Sequence, residues 1–248
     1  MSPWRLEWYR LVRTRRLVVL VGVFLLFGFM GPLSAYYFEE IMRRFGGELQ
    51  IVAPPPTVAD AIGQFTANGT QLGMLVVLIV AAGSLNLHQR PELAFFLRTR
   101  VPNATRLLLP RFVVVLLAAG VAFTAGTLAA WYETVLLIGT PSVSGMLAGI
   151  ALGWIYLAFA IAVVAVAASV ASSTVTAVAL SAGVLLLLPL LAIVEVIGTW
   201  LPSRLIGALP ALAAGQDAGE YLAAAIVTLV ATGVAFAVAV RRTAAREI

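Results

Sequence analysis

The stretch LVVLVGVFLLFGFMGPLSAYYF, residues 17–38, decides the fold class of this chain. No charged side chain interrupts it, and it is long enough to cross a hydrocarbon core of ~30 Å at ~1.5 Å per helical residue. The whole chain of 248 residues has the same character, because 62% of it is hydrophobic and only 11% is charged. A soluble globular domain is nearer half apolar and a quarter charged. The composition therefore predicts a helical membrane protein.

The apolar runs predict where the chain crosses the membrane. We predict a single all-α transmembrane domain over residues 1–248, with six spans at residues 17–38, 68–87, 112–138, 146–168, 175–195 and 221–240. Short re-entrant or surface helices are expected at residues 198–220, on the outer side before the last span. Thr57 and Asp60 form a capping-box pattern, so a helix that leads into the second span should start there.

The distribution of arginine predicts the orientation. All 16 basic residues are arginine, a usage typical of a GC-rich bacterial genome. If the N-terminus lies inside, 13 of the 16 arginines fall in cytosolic segments, which favours both termini in the cytosol. A cysteine at Ser203 should then react with an impermeant reagent from outside, and one at Thr243 should not. The net charge of +5 is thus a topology signal and does not indicate nucleic-acid binding.

Missing residue types exclude several kinds of chemistry. A P-loop needs the pattern G-x-x-x-x-G-K-[ST], and the chain has no lysine and no such glycine spacing. We therefore do not expect this chain to be an enzyme or to hydrolyse ATP by itself. Without cysteine, and with His88 as the single histidine, a metal site is not expected either.

Two carboxylates, Glu133 and Glu195, are predicted near the outer ends of their spans, about 31 Å from the cytosolic edge at ~1.5 Å per residue. We interpret both as solvated interface residues, with an outer gate or a substrate contact as the alternative. Gly145, Gly149 and Gly153 repeat every four residues at the start of the fourth span. Such a stripe of small residues lets another helix approach closely, and packing within the subunit is favoured over a dimer seam.

The first 16 residues predict an amphipathic helix that lies in the plane of the membrane interface. On a helical wheel Trp4 and Trp8 share a face with Leu11 and Val12. The opposite face carries Arg10 and Arg13, with Arg5 and Glu7 at the borders. Tryptophan on one side and arginine on the other are typical of interfacial helices. A plain basic anchor before the first span is the alternative.

The loop between the second and third spans, residues 90–110, is too long for a simple turn. Its periodicity predicts a short helix from Glu92 to Val101 that ends before Pro102. One face is apolar and could rest against the ends of the spans, whereas Phe95 and Arg98 lie on the polar side. A phenylalanine among charges suits docking to a partner protein, and a solvated loop whose arginines only set topology is the alternative.

Taken in order, several stretches resemble the membrane subunit of an ABC-2 type transporter, the permease of an ATP-binding cassette exporter. Residues 92–120 resemble the coupling loop and third span of that family. The resemblance covers essentially the whole chain, and its other parts are the connecting helix and first span at 4–37, the outer segment and second span at 54–85, and the outer segments at 129–139 and 201–215.

The resemblance implies that the chain forms a translocation pathway as a dimer with an identical or homologous permease subunit, in the bacterial cytoplasmic membrane and surrounded by its lipids. ATP and Mg²⁺ would bind to separate ABC ATPase subunits. Contact with those subunits would fall on the coupling helix, at Glu92, Phe95, Phe96, Arg98 and Arg100. The alternatives are a six-span secondary carrier and a non-transporting membrane component of an ATPase-linked signalling or assembly complex.

Overall fold

A computed structural model describes residues 3–45, 54–86, 104–192 and 198–245, and this part of the chain is helical with no strand. Three irregular turns interrupt or join the α-helices: a π turn at Gly69–Gly73 and 3₁₀ turns at Pro202–Gly207 and Ala218–Tyr221. The α-helices are α1 (Pro3–Arg13), α2 (Arg16–Tyr36), α3 (Phe38–Phe45), α4 (Val58–Asn68), α5 (Met74–Leu85), α6 (Ala104–Leu137), α7 (Val143–Val170), α8 (Thr174–Leu191), α9 (Ala208–Ala213) and α10 (Leu222–Ala245).

Six helical stretches in the described residues are long and apolar enough to cross a membrane. They are α2, α4 continued through the π turn into α5, α6, α7, α8, and the last 3₁₀ turn continued into α10. Many large apolar side chains on α2, α8 and α10 are exposed, as on the lipid-facing side of a membrane bundle. The chain therefore has the architecture of a multi-pass membrane protein.

Close backbone contacts hold the centre of the bundle. α2 packs along α6, and a Cβ added to Gly28 would collide with the carbonyl oxygen of Gly126. On α2, Gly31 lies against Phe65 of α4, whose backbone nitrogen would be 2.7 Å from such a Cβ. Glycine permits this approach because it lacks a side chain, and apolar helices gain their stability from such packing.

α7 packs against α5, α6, α8, α9 and α10. Its first turn is tied to the short α9, because the backbone N–H of Ser142 donates to the carbonyl of Ala213 at 2.9 Å. The side chain of Ser142 also caps α7 by accepting from the N–H of Gly145. The segment before the last span is thus packed against α4 and α7.

The starts of α4 and α6 show which helix boundaries the sequence pattern could predict. The capping box of Thr57 and Asp60 is present, which confirms the predicted start of α4. For α6, the prediction placed residues 90–110 in a loop and began the span at Phe112, but the helix starts at Ala104. Pro110 lies inside this helix and is buried in the packed bundle.

The predicted labelling positions are also wrong for their purpose. Ser203 is only 8% exposed and Thr243 only 6%. Both were chosen by their position in the chain, whereas packing against the neighbouring helices decides whether a reagent can reach them. Exposed residues nearby, Gln216 and Ala244, serve the same test.

A buried charge cluster as candidate functional site

One end of the bundle, at which α2 and α6 begin and α5 and α10 end, carries most of the described arginines and is called the basic end below. Here α1 packs against α6 and α2. Between α1 and α2 the chain turns at Arg15, whose φ of 56° lies in the left-handed region. That conformation costs a residue with a side chain about 1–2 kcal/mol. The contacts of α1 must compensate for this cost.

Those contacts centre on a buried ion pair. Glu7 of α1 is only 6% exposed and Arg111 of α6 only 5%. The Nε atom of Arg111 lies 3.0 Å from Oε1 of Glu7. A buried pair of this kind need not add net stability, but removing one partner leaves an uncompensated charge and costs about 3–5 kcal/mol. The pair therefore fixes the position of α1 on α6.

Two further arginines surround the pair. Nη1 of Arg10, one turn along α1, lies 3.9 Å from Oε2 of Glu7. Arg16, the first residue of α2, donates from Nη1 to the hydroxyl of Ser84 at 3.0 Å. Arg111 donates to the backbone carbonyl of Ser84 at 3.4 Å. These five residues are called the arginine cluster, and they connect α1, α2, α5 and α6 around a small cavity of about 10 Å³.

The charges of the arginine cluster do not balance. Glu7 is the only carboxylate that the described residues place within ion-pair distance of Arg10 or Arg111, and none is so placed near Arg16. One negative charge thus faces three positive ones, of which Arg111 is buried and Arg10 and Arg16 are partly exposed. Burying a charge is unfavourable unless a counter-charge or hydrogen bonds compensate it.

The cluster adjoins the predicted coupling loop on both sides. α5 ends at Leu85, one residue after Ser84, and α6 begins at Ala104, two turns before Arg111. The predicted coupling residues Glu92, Phe95, Phe96, Arg98 and Arg100 lie outside the described residues.

The predicted interfacial residues of α1 divide between two environments. Trp4 is 45% exposed and Trp8 47%, whereas Leu11, expected on the same face, is buried against the bundle. Arg10 belongs to the arginine cluster, and Arg13 is exposed. The helical wheel put Glu7 at a border, whereas in the structure its carboxylate forms an ion pair with Arg111 of α6.

Of the two predicted outer carboxylates, the structure describes only Glu133. Glu133 is in the last turns of α6, partly buried, and its Oε2 atom has no hydrogen-bond partner in the described part of the chain. Glu195 lies outside the described residues.

The glycine stripe of α7 contacts other helices of the same chain. A Cβ on Gly145 would collide with the carbonyl of Leu212, and one on Gly149 would lie 3.0 Å from Cα of Leu209. One on Gly153 would collide with the ring of Phe123.

Sequence reasoning did not bring Glu7, Arg16, Ser84 and Arg111 together. Two signals in the sequence point toward them: a carboxylate inside a basic helix, and an arginine followed by a long apolar run. Neither signal identifies the partner, because the contacts join residues up to about a hundred positions apart. Comparison with protein-family models, curated proteins and solved structures found no match for the chain.

Proposed function

We propose that this chain is the membrane-spanning permease subunit of an ATP-driven exporter of the ABC-2 type. It works as a dimer with an identical or homologous subunit, in the cytoplasmic membrane of a bacterium, with both termini in the cytosol. ATP binds and is hydrolysed on separate ATPase subunits, which dock at the basic end.

The observation that carries the proposal is the connection of the arginine cluster to both ends of residues 87–103. A subunit driven from outside needs an element that receives a displacement and passes it to several spans together. A movement of this segment pulls on the end of α5 and the start of α6. Through Arg16 and Glu7 it also acts on α2 and α1. The resemblance of residues 92–120 to a coupling loop agrees with this assignment.

A paired variant, Phe95→Ala with Arg98→Glu, tests the docking role. The change removes a ring and reverses a charge on the predicted exposed side of the coupling helix. Docking hot spots of this kind are worth about 2 kcal/mol or more, so retention of the ATPase should fall by at least about thirtyfold. The measurements are co-purification of the ATPase subunit and substrate-stimulated ATP hydrolysis in nanodiscs.

Two comparisons make the result specific. Arg43→Glu carries the same charge reversal on an exposed residue at the opposite end of the bundle and should leave coupling intact. Leu93→Glu, on the predicted membrane-facing side, should instead lower the yield of folded protein. The proposal fails if the purified chain hydrolyses ATP by itself, or if the paired variant retains a stoichiometric, fully stimulated ATPase.

A further inference from the structure

We propose that Arg10 and Arg16 of the arginine cluster bind the phosphate of an anionic phospholipid, such as phosphatidylglycerol. The first ground is the charge imbalance, since Glu7 is the only carboxylate that the described residues place beside three guanidinium groups. A negatively charged headgroup supplies the missing counter-charge. Basic pockets between membrane helices are sites of this chemistry.

Arg10 and Arg16 are more accessible from the surface of the protein than Arg111. The Arg111 side chain is 5% exposed and makes its ion pair with Glu7 at 3.0 Å. The Arg10 side chain is 33% exposed and only 3.9 Å from the same carboxylate, a distance too long for a hydrogen bond. Arg16 is also partly exposed, and its hydrogen bond to Ser84 uses one of the five N–H donors of its guanidinium group. Both guanidinium groups can therefore reach a headgroup at the surface.

Apolar surface next to these groups favours a lipid over free phosphate. Val18 and Val19 follow Arg16 within one turn of α2 and are 68% and 51% exposed. On α1, Trp8 and Val12 are also about half exposed. A phospholipid can place its phosphate on the arginines and its acyl chains on such surface, whereas an inorganic ion gains nothing from it. The proposal does not depend on the exporter role.

The test is native mass spectrometry of the delipidated protein, titrated with palmitoyl-oleoyl phosphatidylglycerol or with the phosphatidylcholine of the same chains. We expect preferential binding of phosphatidylglycerol. Arg10→Gln and Arg16→Gln should each weaken it about fivefold, since a basic residue near a charged lipid surface contributes ~1 kcal/mol. The matched control, Arg13→Gln, removes the same charge from an exposed position of α1 and should leave binding unchanged.

Two further measurements separate lipid binding from a folding defect and from binding of free phosphate. Arg16→Lys keeps the charge and should restore most of the affinity lost in Arg16→Gln, which a general folding defect would not allow. Inorganic phosphate at millimolar concentration should not compete with the lipid. The proposal would be overturned if both lipids bound equally well, or if inorganic phosphate displaced the lipid. It would also be overturned if Arg13→Gln weakened lipid binding as much as Arg10→Gln or Arg16→Gln.

Discussion

The ion pair between Glu7 and Arg111 allows a prediction that depends on the whole arginine cluster. Glu7→Gln removes the negative charge with almost no change in shape, and leaves three guanidinium groups without a carboxylate in the described contacts. Arg111→Met removes one positive charge, and the remaining carboxylate still has Arg10 at 3.9 Å. The two single variants should therefore differ, with Glu7→Gln the more destabilised.

The expected loss of stability follows from the burial of Glu7 and Arg111. Because both side chains are less than a tenth exposed, solvent screens their charges little, and breaking the pair should cost about 3–5 kcal/mol. At about 2–4 °C per kcal/mol for a chain of this size, the melting temperature should fall by about 6–20 °C in Glu7→Gln. The double variant Glu7→Gln/Arg111→Met removes the unpaired charge and should recover much of the loss.

The assay is thermal unfolding of all variants in the same nanodisc, arranged as a double-mutant cycle. Glu40→Gln is the matched control, because Glu40 is also ion-paired, with Arg44 at 2.8 Å, but its side chain on α3 is 35% exposed. It should change the melting temperature little. A coupling energy below about 0.5 kcal/mol, or equal effects in Glu7→Gln and Glu40→Gln, would refute the argument that the pair fixes α1.

Two other predictions test packing and orientation. Gly145→Ala should lower the yield of folded protein, because its Cβ would lie 2.6 Å from the carbonyl carbon of Leu212. Gly183→Ala is the control and should fold normally, since a Cβ there has no atom within 4 Å. Similar yields for the two variants would contradict the contact. A cysteine at Gln216 should react with an impermeant maleimide in intact cells and one at Ala244 should not, whereas the reverse pattern would invert the proposed orientation.

Hydropathy was sufficient for the fold class, because a span needs only length and an unbroken apolar composition. It could not define ends that depend on packing. The start of α6 at Ala104 is one example: the apolar run suggested a span from Phe112, but Leu108 and Pro110 are buried in a helix that begins eight residues earlier. The capping box of α4 was predictable because Thr57 and Asp60 lie three residues apart, so one local pattern contains the whole interaction.

The candidate site was less predictable, since its contacts join distant parts of the chain. Arg16 and Ser84 are separated by 68 positions, and the partners Glu7 and Arg111 by more. A helical wheel ranks residues by average polarity on a face. The wheel therefore put Glu7 at a border, whereas in the structure its carboxylate pairs with Arg111 of α6.

The arginines of the basic end act in two different ways, through their charge and through specific contacts. Every arginine contributes alike to orientation, because charge near the membrane surface affects insertion whatever it touches. The structure separates them: Arg13, Arg15 and Arg241 are exposed, whereas Arg16 and Arg111 make specific bonds inside the bundle. Neutralising an exposed arginine should thus alter insertion only. Neutralising Arg111 should also alter the position of α1. The effect of charge on insertion and the effect of the ion pair on packing can therefore be measured separately.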